Sequence, residues 1–220
     1  HSNIVPWQLV AEKTQSSLQF IPLTDDGTLD LEPNDSLYSK RTKLISVCHQ
    51  SNVFGTVNPI DSVIATAKEW GAISVIDGAQ AVPHMKVDIA KLDCDFYAFS
   101  GHKMLGPTGV GVLIGRTDLL EEMDPFMGGG EMIDKVTLEK STWNKVPWKF
   151  EAGTPNIAQV IGLGAALDYI QSVGIDKIHN HDVDLLNYGL DILSQNKDIT
   201  LFGNTQNRGA VIPFNVKNIH

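Results

Sequence analysis

The chain has 220 residues, 42% of them hydrophobic and 20% charged, a globular composition that excludes a disordered, collagen-like or fibrous protein. Seventeen lysines and arginines against 26 aspartates and glutamates leave a net charge of −9, and no segment gathers enough basic residues to track a phosphate backbone, so no nucleic-acid partner is expected. The longest apolar stretch, residues 160–170, is broken by two glycines and Asp168; it falls short of the roughly 18 apolar residues that a membrane span needs, and no membrane partner is expected.

Short β-branched runs alternate with longer helical patterns along the chain, with no internal repeat. Strands are predicted at residues 18–22, 43–48, 73–76, 96–99 and 110–114, each bounded by turn residues. A helix is predicted over 59–70, where Ile60, Val63, Ile64 and Ala67 share one face. Strand, helix, strand in this order implies a right-handed crossover and a largely parallel sheet. Residues 124–150, rich in Gly, Met and Trp, read as a long loop. Thr154 and Pro155 then fit the cap and first position of a helix running to about 172, with Ile157, Val160, Ile161, Gly164 and Leu167 on one face. A second helix over 176–195 and strands at 199–202 and 209–216 resemble the start of a smaller α+β unit. The expected division is 1–172 as a large domain and 173–220 as the beginning of a small one.

The two cysteines, Cys48 and Cys94, form neither a disulfide framework nor a zinc site, and no metal is expected. No charged-then-apolar leader opens the chain, which points to the cytoplasm. The start at His1 without a methionine, and the stop directly after an apolar run, point to a fragment of a longer chain.

In an α/β sheet ligands sit beyond the carboxyl ends of the strands. Three loops there carry the polar information: His49-Gln50-Ser51-Asn52, Asp77-Gly78-Ala79-Gln80 and Ser100-Gly101-His102-Lys103. A lysine at the end of a buried strand, with Gly101 and Gly106 allowing close backbone approach, suits a Schiff base, because partial burial exposes the neutral amine. An aspartate ending the neighbouring strand is the partner that keeps a pyridine nitrogen protonated, which makes pyridoxal 5′-phosphate (PLP) an electron sink. Asp77 and Lys103 could flank one such ring, with Ser100 and His102 offering donors to its phosphate. Each residue alone has a plainer reading: Asp77 as a turn residue, Asn52 and Thr154 as caps, His1 as a solvated end, and the four tryptophans as core or interface.

Together the strings resemble a known family. Asn3-Ile4-Val5-Pro6-Trp7-Gln8 after a histidine, Asp77-Gly78-Ala79-Gln80-Ala81, Ser100-Gly101-His102-Lys103 with Gly106-Pro107-Thr108-Gly109, Gly128-Gly129-Gly130, and Phe150-Glu151-Ala152-Gly153-Thr154-Pro155-Asn156 follow in order. The chain resembles the group II, SUF-type cysteine desulfurases of the class V aminotransferase family, PLP enzymes of fold type I, over essentially all its length. The resemblance implies a large domain with a mainly parallel sheet flanked by helices and a smaller α+β C-terminal domain. It implies Lys103 as the Schiff-base lysine and proton shuttle, Asp77 as the pyridinium partner, Gln80 as donor to the phenolic oxygen, and Ser100 and His102 as the phosphate pair. His1 would stack on the ring and Asn52 would lie near the phenolic oxygen and the substrate carboxylate. Thr154 would reach the phosphate of the neighbouring subunit's site in a homodimer, and Gly128 to Gly130 would belong to a covering segment.

The implied reaction takes sulfur from L-cysteine, releases L-alanine and leaves an enzyme persulfide for an acceptor protein in iron-sulfur cluster assembly. The family's nucleophilic cysteine and its carboxylate-binding arginine would lie outside these residues, since Cys48 falls in an apolar strand and Cys94 between two aspartates. The fragment by itself would then form no persulfide. L-selenocysteine is the alternative substrate. A selenocysteine lyase, a kynureninase-like or an epimerase-like enzyme would share Asp77 and Lys103, and a non-catalytic scaffold for sulfur-transfer partners is the alternative of another class.

Overall fold

The computed structural model describes residues 2–31, 37–203 and 206–219. Helix α1 (Val5–Thr14) opens it, with a proline in the first turn, where the missing N–H costs nothing. Residues 18–22 do not form the predicted strand. Leu18 and Phe20 are exposed, and among the described residues no strand pairs with this segment; an isolated bridge, Leu23 to Leu29, follows.

The central sheet is built from β1 (Leu44–Cys48), β2 (Ile73–Asp77), β3 (Phe96–Ser100) and β4 (Gly111–Gly115) in the order β1-β2-β3-β4. Helix α2 (Ile60–Glu69) carries the chain from β1 to β2, and the short α3 (Ile89–Leu92) precedes β3. Both pairings within β1-β2-β3 are parallel, with Cys48 opposite Asp77 and Asp77 opposite Ala98. β4 runs antiparallel to β3, so that the sheet is mainly parallel, as expected, with one antiparallel edge strand. A parallel return needs a crossover of about a dozen or more residues, and the stretch between Ser100 and Gly111 is spent on a tight 3₁₀ turn, Gly101–Met104, and a loop.

The predicted face of α2 holds. Ile60, Val63, Ile64 and Ala67 are all buried, packed with Ile45, Val47, Ile76 and Tyr97 into the main core. A buried carboxylate ties the strand starts together. Asp95 accepts from the backbone N–H and hydroxyl of Ser74 at 2.8 and 2.9 Å, and from Arg116 at 3.1 Å. Helix α4 (Thr117–Glu122) follows β4.

Residues 124–150 are not one irregular loop. They contain a hairpin of β5 (Ile133–Val136) and β6 (Ser141–Trp143). Its turn is a Thr137 motif whose hydroxyl accepts the N–H groups of Glu139 and Lys140 at 3.3 and 3.1 Å, a substitute for the Gly and Asn signals that hairpins usually announce.

Helix α5 (Ile157–Val173) starts later than Thr154 and Pro155 suggest. Asn156 stands at its N-cap and sends its side-chain amide to the Gly109 carbonyl at 2.6 Å instead of capping the helix. Of the predicted apolar face only Leu167 packs on the core. Leu163, Ala166 and Ile170 are buried, whereas Ile157, Val160 and Ile161 stand 58%, 54% and 68% exposed. An almost wholly apolar helix has no single stripe for periodicity to find. After Gly174, α6 (Ile175–Ser194) folds back; Ile175 and Ile178 join Leu163 and Ile170 around Met104. The predicted terminal strands are shorter than drawn, β7 (Ile199–Leu201) and β8 (Phe214–Val216), paired antiparallel. Residues 207–209 are stitched to the loop after β1 by Val57 N–H to the Asn207 carbonyl at 3.0 Å and Gly209 N–H to the Gly55 carbonyl at 2.8 Å.

No helix among the described residues is long and apolar enough to cross a membrane. Among the same residues no group of three or more His, Cys, Asp or Glu could hold a metal ion.

Candidate active site

Asp77 closes β2, and the backbone leaves the strand through Gly78. A Cβ on Gly78 would lie 2.0 Å from the Tyr97 ring, so only glycine lets the turn pass this close to β3. The turn is pinned on both sides: Gly78 N–H donates to the Ala98 carbonyl at 2.8 Å, and His49 N–H donates to the Asp77 carbonyl, also at 2.8 Å. The half-buried Asp77 carboxylate receives two donors from opposite sides. The Ala79 N–H reaches Oδ1 at 3.1 Å, and the Cys48 thiol reaches Oδ2 at 3.7 Å.

On the next strand Ser100 closes β3 and Lys103 sits in the 3₁₀ turn that follows. This turn is packed against α5. A Cβ on Gly101 would meet Val110 Cγ1 at 2.8 Å, and one on Gly106 would meet the Gly101 carbonyl at 2.9 Å and Leu163 at 3.1 Å. Buried Met104 anchors the turn from below, leaving Lys103 half-buried and His102 exposed.

Gln80, Ser100 and Lys103 are half-buried, and Asn52, His102 and Thr154 are exposed. None of these six side chains makes a hydrogen bond or ion pair among the described residues. Strand order and register bring Asp77, Gln80, Ser100, His102 and Lys103 to one edge of the sheet. Asn52 lies in the loop after β1 at the same edge, while Thr154 precedes α5. His1 lies outside the described residues. The glycine loop joins the last motif: Gly153 N–H donates to the Gly130 carbonyl at 2.9 Å, and Gly129 packs against Ala152 and Gly153.

Not every polar residue of these loops faces the edge. His49 is buried and its Nδ1 meets the hydroxyl of Tyr97 at 2.9 Å, a neutral pair beneath the Gly78 turn. Burial pushes the His49 ring below its ordinary range, despite Asp61, and pushes the Tyr97 phenol well above its own. Burial first and the Asp77 charge second push the Cys48 thiol up; burial, then Asp95 and Asp93, do the same for Cys94. Neither thiol is poised as a nucleophile at neutral pH.

Sequence reasoning missed the contact between Cys48 and Asp77. The signal was present, since both residues end neighbouring strands in register, but a cysteine in an apolar run reads as core. It also missed Asn3, whose amide joins the N-terminal segment to Cys48 at 3.8 Å.

One edge of the sheet thus carries a carboxylate together with an amide, a hydroxyl, an imidazole and an amine that the described residues leave without partners. Such a set suits a small ligand carrying both an anionic group and a ring that needs a fixed counter-charge.

Known proteins resemble this chain in sequence and in fold. A probable cysteine desulfurase of Halalkalibacterium halodurans is 50% identical over the whole chain, which covers 54% of that protein. A crystal structure of the cysteine desulfurase CsdA from Escherichia coli superposes with a TM-score of 0.94 at 36% identity, over all of this chain and 55% of that one. The C-DES structure, with glycine covalently linked to its PLP cofactor, superposes with a TM-score of 0.83 at 24% identity, over 97% of this chain and 58% of that one, and supports the fold alone. The chain spans about half the length of the relatives it matches. Its mainly parallel sheet flanked by helices is the fold type I arrangement. The Aminotransferase class-V model matches residues 1–220 from end to end, and the chain belongs to that family.

Proposed function

We propose that the full-length protein is a PLP-dependent cysteine desulfurase, which removes sulfur from L-cysteine, releases L-alanine and passes the sulfur to an acceptor protein for iron-sulfur cluster assembly in the cytoplasm. The observation that carries this reading is the edge where β2 and β3 end. That edge carries a half-buried carboxylate held by two donors, and also Gln80, Ser100, His102 and Lys103, whose side chains have no partner among the described residues.

The donor set fits PLP group by group. A carboxylate suits the ring nitrogen, an amide the phenolic oxygen, a hydroxyl with an imidazole the phosphate, and an amine the aldehyde carbon. When bound, PLP supplies a sink for the negative charge that develops at the substrate α-carbon. Asp77 holds a proton on the ring nitrogen. Lys103 anchors the cofactor and moves the proton at the substrate α-carbon. Gln80 would donate to the phenolic oxygen, Ser100 and His102 would bind the phosphate, Asn52 would serve the phenolic oxygen and the substrate carboxylate, and His1 would be the residue that stacks on the ring.

The sulfur step balances without an outside oxidant. A thiolate of the enzyme bonds to the substrate sulfur as the carbon–sulfur bond breaks, so that cysteine and an enzyme thiol become alanine and an enzyme persulfide. Cys48 and Cys94, both pushed up in pKa, are not that thiol, and the nucleophile belongs to another part of the full-length chain.

We read residues 1–172 as the cofactor-binding domain and 173–220 as the start of the smaller one. A homodimer is supported by the bare apolar face of α5, where Ile157, Val160 and Ile161 lie just beyond Thr154. Borohydride reduction of the PLP-loaded full-length protein, followed by peptide mapping, should leave the pyridoxyl group on Lys103. A label on Lys86, Lys91 or another lysine would overturn the assignment.

A further inference from the structure

Asp77 is the residue on which the proposed electron sink depends, and its carboxylate is not free to turn. The terminal torsion of an aspartate is broad and two-fold, so one donor on one oxygen leaves the group able to swing. The Ala79 N–H belongs to the same turn and holds Oδ1. The second contact comes from another strand, where Cys48 stands directly opposite Asp77 in the β1-β2 register and its sulfur lies 3.7 Å from Oδ2.

The direction of that second hydrogen bond is fixed by a chain of partners leading back to a tryptophan. An indole N–H can only donate, and Trp7 Nε1 donates to Asn3 Oδ1 at 3.0 Å. The Ser46 hydroxyl donates to the same oxygen at 2.5 Å. Asn3 must therefore turn its NH₂ toward Cys48, where Nδ2 lies 3.8 Å from sulfur. With its sulfur accepting from Asn3, the thiol directs its own proton at Asp77. Burial and the Asp77 charge both oppose ionisation of this thiol, so the proton stays in place at neutral pH.

We propose that Cys48 is a positioning residue for Asp77: through the Trp7-Asn3-Cys48 relay, its thiol fixes the rotation of the carboxylate that serves the ring nitrogen of the cofactor. This rests on the function proposed above, and it goes beyond the reading of Cys48 as a core residue of an apolar strand. Helix α1 thereby acquires a task, since the N-terminal segment reaches the candidate site only through this relay among the described contacts.

The test uses the full-length protein loaded with PLP carrying ¹⁵N in its ring, and follows the ring-nitrogen chemical shift with pH. In Cys48→Ala the midpoint at which the nitrogen loses its proton should fall by about half a pH unit or more, the size of one net hydrogen bond, and Cys48→Ser, which keeps a donor, should restore most of it. An unchanged midpoint in Cys48→Ala overturns the proposal, and so does a rise, which would mean that the thiol only withdraws charge. Wild-type protein that takes up no PLP on Lys103 would instead sink the functional reading. The contact itself is read without cofactor. Asp77→Asn removes the charge that helps keep the thiol protonated, and should speed alkylation of Cys48 severalfold relative to Cys94 in the same sample; an unaltered ratio overturns the contact and the proposal with it.

Discussion

Gly78→Ala is the smallest change that attacks the candidate site without touching any polar group. The new Cβ would fall 2.0 Å from Tyr97 Cε1 and 2.2 Å from both Cζ and the hydroxyl oxygen. Ordinary carbon contacts begin at about 3.5 Å, so the overlap is roughly 1.5 Å. Tyr97 cannot yield. It is fully buried, its hydroxyl meets His49 at 2.9 Å, and its backbone is paired in the sheet. The backbone of the turn must move instead, carrying Asp77 with it and straining the hydrogen bond from Gly78 to Ala98. Overpacking of a close-packed core costs about 1–3 kcal/mol, and a clash with a fixed ring belongs at the upper end. In urea unfolding of the full-length protein this corresponds to a midpoint lowered by up to about 1 M. Because a displacement near 1 Å at a reacting group can cost about 100-fold in rate, cysteine turnover should fall by that order even where the protein is still folded. A Gly78→Ala protein within about 0.5 kcal/mol of wild type and with unchanged turnover would refute the argument that the Tyr97 ring dictates glycine here.

Asp77→Asn should lower cysteine turnover about 100-fold or more, in the range of a lost oriented electrostatic group, while the urea midpoint changes little; near-normal turnover would return Asp77 to the status of a turn residue. Mass spectrometry after incubation with cysteine should find no added sulfur on Cys48 or Cys94, and an increment on either, lost on changing that residue to serine, would show the nucleophile misplaced. Stability should fall on the alkaline side, because the folded Cys48, Cys94 and Tyr97 hold their protons above the pKa of the unfolded groups. The contribution is intact below those unfolded values and is lost as pH rises through the raised folded ones, so that Tyr97→Phe should flatten the decline in a urea-midpoint series. His49 acts in the opposite window: its lowered folded pKa means a contribution present above about 6.5 and lost as pH falls below it, which His49→Gln should remove from the acid limb of the same series.

The strands that carry the site are legible in the sequence because they are largely apolar runs punctuated by polar loops. The ends of β2 and β3 are therefore the places where Asp77 and Lys103 had to emerge. The face of α2 is equally legible, since its outer side is polar. Where an element is apolar on every side, as α5 is, periodicity carries no information, and which side is buried depends on what packs there: Pro107 against Gly162, and Leu163 against the glycines of the Lys103 turn. The β5-β6 hairpin was hidden for a different reason, because a threonine hydroxyl does the work that a glycine would have advertised. Thr154 and Pro155 look like a helix start by composition, yet the first turn begins beyond them, where Asn156 uses its amide to hold the Gly109 carbonyl.

Contacts across strands are the class of feature least visible in sequence, and they build the candidate site here. Asp77 is located by its strand but oriented by Cys48, which lies 29 positions earlier. The turn after it is shaped by Tyr97, whose hydroxyl is in turn held by His49, a partner 48 positions away. Each of these contacts requires the β1-β2-β3 order and register before it can exist. The division of labour follows from burial. Groups set between strands, Cys48, His49 and Tyr97, find their partners within the chain, because a polar atom removed from water must be hydrogen-bonded. Groups beyond the strand ends, Gln80, Ser100, His102 and Lys103, keep enough exposure to stand without a partner among the described residues. A sheet edge can thus fix its one carboxylate rigidly from below while leaving its donors available to a ligand from above.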